Sequence, residues 1–363
     1  KKIAISTGGG DAPGLNGVIR AVVLASLKRG WECIGIRDGF NGIMMPEKFK
    51  DGGTVRLDRD SVRGISHLGG TILGTANRGN PMNFPIVHPD GSITEVDRSD
   101  ELIASLNAMG VDALVTIGGD GSLTIGHHLY KKGLRVVGVP KTIDNDIERT
   151  VVTFGFDTAL TFATECLDRL HTTAESHHRV IVVEVMGRHA GWIALNSGIA
   201  GTAHAILIPE IPYDLKIVTQ KIRDREKAGR THSIVIVAEG ALPKGGEISI
   251  IAKEVGRADR LGGIGEKVGR ELQEMTGKET RVVVLGHLLR GGTPTSFDRL
   301  TALRFGAAAV RALEAGESGI MVAMDPPNIN YVPLSEAASR MKKVPLDCDS
   351  ILTARDLGMC FGD

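Results

Sequence analysis

Short apolar runs rich in β-branched residues recur along the chain, and each gives way to a polar or glycine-rich stretch. Residues 3–6, 32–37, 111–117, 136–139, 180–185, 205–208, 233–238 and 282–285 read as about eight buried strands. Apolar positions spaced near 3.6 residues predict a helix over 15–28, and helices are also expected over 100–109, 156–170, 215–227 (a polar one), 265–275 and 296–315. A further helix carrying Leu123, Ile125 and Leu129 follows the strand over 111–117. Residues 81–97, with Pro89-Asp90-Gly91 as a turn signal, predict a surface hairpin. Residues 245–263 read as an irregular surface excursion, Pro326-Pro327 as a breaker, and the final stretch as mixed. Strand, glycine loop and helix in repetition predict an α/β fold: two lobes of parallel-rich sheets flanked by helices, with the active site in the cleft between them. At this length the chain is expected to form two lobes.

Composition narrows the classes. At 363 residues the chain is long for one core. Lys plus Arg equals Asp plus Glu at 43 each, which argues against a general binder of nucleic acid or acidic membrane. Aromatics at 4% also disfavour base-stacking platforms. The 47 glycines cluster after apolar runs, where they bring backbone close to a ligand. Cys33, Cys166, Cys348 and Cys360 are scattered without a CxxC, so neither a disulfide framework nor a zinc site is expected. No apolar run reaches membrane-spanning length and none reads as a signal peptide, so a cytoplasmic location is expected.

The polar ends of the strands carry the candidate chemistry. The first strand enters Gly8-Gly9-Gly10-Asp11-Ala12-Pro13-Gly14, an anion cradle of bare N–H groups at a helix start. It lacks both the GK[ST] of a Walker loop and the GxGxxG register of a dinucleotide site; a tight turn without a ligand is its plain reading. The strand over 111–117 enters a second cradle, Gly118-Gly119-Asp120-Gly121-Ser122. A carboxylate there repels phosphate unless a cation intervenes, so Asp120 suggests Mg²⁺; a helix N-cap is the plain alternative. The strand over 136–139 delivers Lys141, Thr142, Asp144, Asn145 and Asp146. One aspartate could act as a base while the other orients it or a metal, and an Asx-rich turn is the competing reading. Arg78 sits in a glycine-rich loop from which it could reach a phosphate, as could a solvated loop arginine with no such role. Arg281, His287 and Arg290 cluster near one strand end, suited to an anion such as a sugar phosphate. His177 and His178, adjacent in what reads as an extended segment, are taken as packing or hydrogen-bonding residues. The pattern suits an enzyme that handles two phosphorylated partners and moves a phosphoryl group.

Five motifs in order resemble those of the 6-phosphofructokinase family: 8–16 (GGGDAPGLN), 118–122 (GGDGS), 140–146 (PKTIDND), 186–188 (MGR) and 286–292 (GHLLRGG). The resemblance implies transfer of a phosphoryl group to the 1-hydroxyl of fructose 6-phosphate, by a larger nucleotide-binding lobe over 1–150 plus 290–340 and a smaller fructose 6-phosphate-binding lobe over 151–289 plus 341–363. It implies Asp144 as base, Thr142 against the transferring group, and Asp146 orienting the acceptor or the metal shell. Asp120 would hold Mg²⁺, mostly through water; Gly10 N–H and Arg188 would stabilise transferring charge. Arg78, Gly119, Gly121, Ser122 and Lys141 would line the donor site. Met186, Gly187 and Glu239 would bind the sugar, and Arg179, Arg281, His287 and Arg290 its 6-phosphate. Arg179 and Arg281 would serve a neighbouring subunit, which implies a homo-oligomer, a dimer or tetramer.

The family's donor signals diverge here. Gly121 follows the GGD triplet as in ATP users, where an Asp would crowd the α-phosphate; Lys141 follows the proline as in pyrophosphate users. The steric signal favours ATP, with pyrophosphate as the alternative. At the family's effector positions Arg20 and Arg230 could keep two cations, whereas Leu24, His171 and Ala228 replace three others, so weak or absent control by ADP or phosphoenolpyruvate is expected. A dehydrogenase would need the GxGxxG register, and a diacylglycerol or NAD kinase shares GGDG but not TIDND. A silent nucleotide or sugar-phosphate sensor would have lost the base or the basic cluster, both present here.

Overall fold

The computed structural model describes residues 1–76, 79–247, 250–252, 260–337 and 339–363. It divides into two compact units, each assembled from separated chain segments. The first comprises Lys1–Ile143, Ile147–Asp157 and Arg290–Met341; the second comprises Asp144–Asp146, Thr158–Leu289 and Lys342–Asp363.

Among the described residues the first unit holds a seven-stranded sheet. Its strands run in the order Asn328–Pro333, Ile320–Asp325, Val136–Pro140, Ala113–Gly118, Lys2–Thr7, Glu32–Ile36, Thr54–Leu57. The five central strands are parallel and the two outer ones antiparallel. Alternating side chains feed two cores. Ile3 and Ile5, with Val115, Ile117, Val137 and Val139, face the helices Leu15–Lys28 and Ser296–Glu314. Ala4, Leu114 and Val136 join a second cluster with Leu102, Leu106, Leu123 and Leu129 from the helices Ser99–Ala108 and Asp120–Lys131. From Lys2–Thr7 the chain first builds outward to Glu32–Ile36, then returns to place Ala113–Gly118 on the other flank. The order reverses between Lys2–Thr7 and Ala113–Gly118, the kind of point at which open α/β sheets bind ligands at the carboxyl ends of their strands.

The second unit holds a parallel sheet in the order Thr280–Val284, Val180–Val185, Ser233–Ala238, Ala205–Leu207. Its core sets Val180, Val182, Val235 and Val237 against Val218 and Ile222 of the helix Leu215–Lys227 and Val268 and Leu272 of the helix Ile264–Thr276. Asp214 caps the former, its carboxylate accepting from Lys216 N–H at 2.8 Å.

Several expectations shift. The helix expected over 156–170 runs to Phe156–His177, and His178 follows with φ 56°, so the two histidines do not lie in an extended segment. The stretch around Pro326-Pro327 is a hairpin of two strands rather than a simple break. The surface hairpin forms from Phe84–Val87 and Ile93–Val96. Within the expected irregular excursion, Ile250–Ala252 and Arg260–Leu261 pair as an antiparallel ribbon. Among the described residues no helix is long and apolar enough to cross a membrane.

Candidate active site

In the first unit the two glycine loops meet at the reversal of strand order. Gly8 N–H donates to Ile117 O at 3.0 Å, tying the first loop to the end of the neighbouring strand. Ser122 fills the space between the loops: a Cβ on Gly118 would lie 2.2 Å from Ser122 Cβ, and one on Gly8 would lie 2.6 Å from its Oγ. Glycine at 8 and 118 is therefore a packing requirement. At Gly121 the opposite holds, since a Cβ there would meet nothing within 4 Å. Gly119 stands at the start of the helix Asp120–Lys131, and Asp120 and Gly121 are exposed in its first turn.

Lys141 is 3% exposed. Its backbone N–H donates to Gly118 O at 2.9 Å, and its ammonium donates to Gly10 O. One lysine thus bridges both loops, its positive end at the backbone of the first. Arg290 approaches the same loop: its Nη1 donates to Asp11 O at 3.1 Å, and a Cβ on Gly10 would stand 2.7 Å from it. Thr142 is half-buried, and its carbonyl accepts from Thr153 Oγ1 at 2.8 Å. The first unit therefore brings together Gly10, Gly119, Asp120, Gly121, Ser122, Lys141, Thr142 and Arg290. Arg78 lies outside the described residues.

In the second unit Val180–Val185 and Ser233–Ala238 end side by side, with Ala238 opposite Val185. Met186, Gly187 and Arg188 leave the first and Glu239 leaves the second. Glu239 N–H donates to Val185 O at 2.9 Å and Gly240 N–H to Gly187 O at 3.2 Å, which fixes the two loops together. Gly187 has φ 137°, and a Cβ there would lie 2.8 Å from Ala190 O. Glu210 braces this loop: Gly191 N–H donates to its Oε1 at 3.1 Å, and Val344 N–H donates to the same oxygen at 2.9 Å. Burial pushes the Glu210 carboxyl above its ordinary range, as it does for Glu184, whose Oε2 accepts from Gly265 N–H at 2.7 Å. Asp144 and Asp146, both half-buried, belong to this unit. Between them Asn145 is buried, with φ 53°. His287 follows Thr280–Val284 in a turn over Gly286–Arg290.

Arg179 and Arg281 lie elsewhere. Arg179 precedes Val180–Val185, and Arg281 stands opposite Ile181 in the adjoining strand. Both arginines pair with Glu279, Arg179 Nε at 2.9 Å, and the Arg179 guanidinium holds that carboxyl below its ordinary range. A six-residue strand, about 20 Å long, separates them from Met186 and Glu239. The two arginines are thus brought to each other but not to the rest of the second unit's set.

Three functional-looking side chains have no local signal in the sequence: Glu210, Glu279 and Lys342, whose contacts reach Asn145, Asp146 and Trp192. A trio of imidazoles, His171, His204 and His232, also packs edge to face in the second unit, with ring centres 5.7–5.8 Å apart. Ile234 N–H donates to His204 Nδ1 at 2.8 Å, so that ring carries its proton on Nε2. Burial, with Arg225 nearby, lowers His204 to about 3, and burial also lowers His232.

Among the described residues no three His, Cys, Asp or Glu side chains converge to hold a metal by themselves. A lone exposed Asp120 at a phosphate cradle still fits Mg²⁺, which keeps most of its waters and binds through one or two carboxylates and substrate phosphates.

The family profile described as Phosphofructokinase matches residues 2–313. The chain is 50% identical over 363 residues to a protein of Chloroflexus aurantiacus named ATP-dependent 6-phosphofructokinase, covering all of this chain and 98% of that one. It is 48% identical over 349 residues to a pyrophosphate–fructose 6-phosphate 1-phosphotransferase of Amycolatopsis mediterranei, covering 95% of this chain and 97% of that one. Among solved structures, the T-state phosphofructokinase of Pichia pastoris matches with TM-score 0.79 and 34% identity over 93% of this chain; the chain spans 35% of that longer one.

Proposed function

The chain belongs to the phosphofructokinase family, and on that premise we propose that it transfers a phosphoryl group from ATP to the 1-hydroxyl of fructose 6-phosphate. The products are fructose 1,6-bisphosphate and ADP. The observation that carries the donor assignment is the open space at Gly121, in contrast to Gly8, Gly10 and Gly118, where a Cβ would collide with Ser122 or Arg290.

The donor phosphates lie against Gly10, Gly119, Gly121, Ser122 and Lys141, with Arg78 assigned by resemblance. Backbone N–H groups and the start of the helix Asp120–Lys131 neutralise phosphate charge. Asp120 would hold Mg²⁺, which would supply charge neutralisation at the phosphates. Met186, Gly187 and Glu239 bind the sugar. Asp144 takes the proton of the 1-hydroxyl as that oxygen bonds to phosphorus and the bond to the departing ADP oxygen breaks. Thr142 and Arg188 contact the group in transit, and Asp146 orients the acceptor. His287 and Arg290 contact the 6-phosphate.

Arg179 and Arg281 complete the 6-phosphate contacts of a neighbouring copy in a homodimer or homotetramer. What supports this is their place at the far end of Val180–Val185 from Met186. The strand Thr280–Val284 is also the outer one of its sheet, with Val284 51% and Leu288 63% exposed, an edge suited to burial against another chain. The enzyme is placed in the cytoplasm, in keeping with its four free thiols. Control by ADP or phosphoenolpyruvate is weak, given Leu24, His171 and Ala228 at the positions the family fills with cations.

A second reading, pyrophosphate as donor, rests on the buried Lys141 ammonium at the first cradle, a point charge suited to a compact polyanion. Initial rates with fructose 6-phosphate and Mg²⁺ decide between them. Fast turnover with ATP and little with pyrophosphate is expected; the reverse would overturn the steric argument at Gly121.

A further inference from the structure

Lys342 stands where three segments of the second unit meet. Its backbone N–H donates to Asp146 O at 2.8 Å, and its ammonium donates to Asn145 Oδ1 at 2.9 Å. Its carbonyl accepts from Trp192 Nε1 at 3.1 Å, and its ammonium lies 5.8 Å from the centre of the Trp192 ring, within cation–π range. One residue therefore grips both the segment that carries Asp144 and the loop over 186–192.

Each grip answers a local need. Asn145, at φ 53°, holds a left-handed conformation that asparagine tolerates better than other non-glycine residues but that neighbouring contacts must hold in place. The ammonium on its side-chain oxygen and the N–H on the next carbonyl supply those contacts. Trp192 ends the loop that delivers Met186, Gly187 and Arg188, and its indole N–H is satisfied by Lys342 O. Glu210 repeats the tie two residues on, since one of its oxygens accepts from both Gly191 N–H and Val344 N–H.

We propose that Lys342 and Trp192 form a positioning pair that locks the Asp144–Asp146 segment to the loop over 186–192. The inference deepens the phosphoryl-transfer reading and rests on it for its kinetic consequence. A base must meet its proton within hydrogen-bond reach, and an error of about 1 Å costs about 100-fold in rate. Neither residue touches the reacting atoms; both act through Asn145, the Asp146 backbone and the loop.

The test pairs a structural readout with a kinetic one on the full chain. Lys342→Met keeps the length of the side chain and removes its charge and donors. Amide hydrogen exchange over 142–147 is expected to rise about tenfold in this variant. The kcat with fructose 6-phosphate is expected to fall about 10- to 100-fold while KM stays within about threefold, with partial recovery in Lys342→Arg. Combined with Asn145→Ala, the loss should fall short of the product of the two single losses, because both variants break the same bond. Unchanged exchange over 142–147, a loss confined to KM, or fully multiplicative losses each overturn the pair. If Lys342→Met does not fold, Trp192→Phe, which removes the indole N–H, carries the test. Exchange rising at 142–147 together with 186–192 supports the lock, and a rise in the loop alone refutes it. A wild-type chain that phosphorylates fructose 6-phosphate with neither donor would sink the functional reading, while the exchange measurement still decides the pair.

Discussion

The loops that leave Lys2–Thr7 and Ala113–Gly118 in the first unit are made almost wholly of backbone, whereas in the second unit the segments leaving Val180–Val185 and Ser233–Ala238 depend on side chains held by other side chains. In the first unit the working groups are N–H donors, and position is set by what cannot be there: Ser122 occupies the space that a Cβ on Gly8 or Gly118 would need. In the second, Glu210 braces a loop, Glu279 pairs two arginines, and Lys342 ties Asn145 to Trp192. A backbone cradle suits a ligand whose charge is spread over many phosphate oxygens. Side-chain clamps suit an acceptor that must be turned until one hydroxyl faces one carboxylate.

The largest effect expected on the side-chain side is at the base. Asp144→Ser should lower turnover by about 1,000-fold, with fructose 6-phosphate binding, measured calorimetrically, within about threefold of wild type. Near-normal turnover would break the assignment. On the backbone side, Gly121→Asp should leave the unfolding temperature unchanged, because the position is open, yet raise KM for ATP about tenfold or more by repelling phosphate, with pyrophosphate unaffected. Gly118→Ala is the matched contrast: it should cost about 1–3 kcal/mol of stability through its collision with Ser122, read as a lower denaturation midpoint. A pH-dependent effect of comparable size is acid sensitivity in the second unit. His204 titrates near 3 in the fold and near the ordinary 6.5 when unfolded, so the unfolded chain binds the proton first as pH falls. Its contribution is complete above pH 6.5 and is lost toward pH 3, by up to about 1.4 kcal/mol per pH unit. Unfolding temperatures measured from pH 7 to 5 should fall less steeply in His204→Gln than in wild type.

The same contrast accounts for what could be read from the sequence. Glycine cradles announce themselves because their requirement is local: GGG after one strand and GGDGS after another fall at the strand ends found at the reversal of sheet order. Four of the five parallel central strands in the first unit were legible as continuous apolar runs, since both of their faces are buried; the fifth, Ile320–Asp325, was not read as a strand. Edge elements were not. Thr54–Leu57 is short, and Asn328–Pro333 alternates exposed and half-buried positions beside two prolines, so neither carries a strong apolar signal. The helix Phe156–His177 outran its expected end because polar residues on its exposed side continue the turn after the apolar spacing thins. Lys342, Glu210 and Glu279 were invisible as functional residues because each takes its meaning from partners distant in sequence or in another strand.

The division of the chain has a consequence for how it is made. In the second unit the edge strand Ala205–Leu207 hydrogen-bonds to a segment far along the chain, Ile206 N–H to Cys360 O at 2.8 Å, and the first unit takes two of its strands from Arg290–Met341. During synthesis, then, the first unit cannot complete its sheet, nor the second cover the edge of its own, while the C-terminal segments are still inside the ribosome. The early glycine loops must wait, with the inner strands' flanks uncovered, for sequence translated long after them.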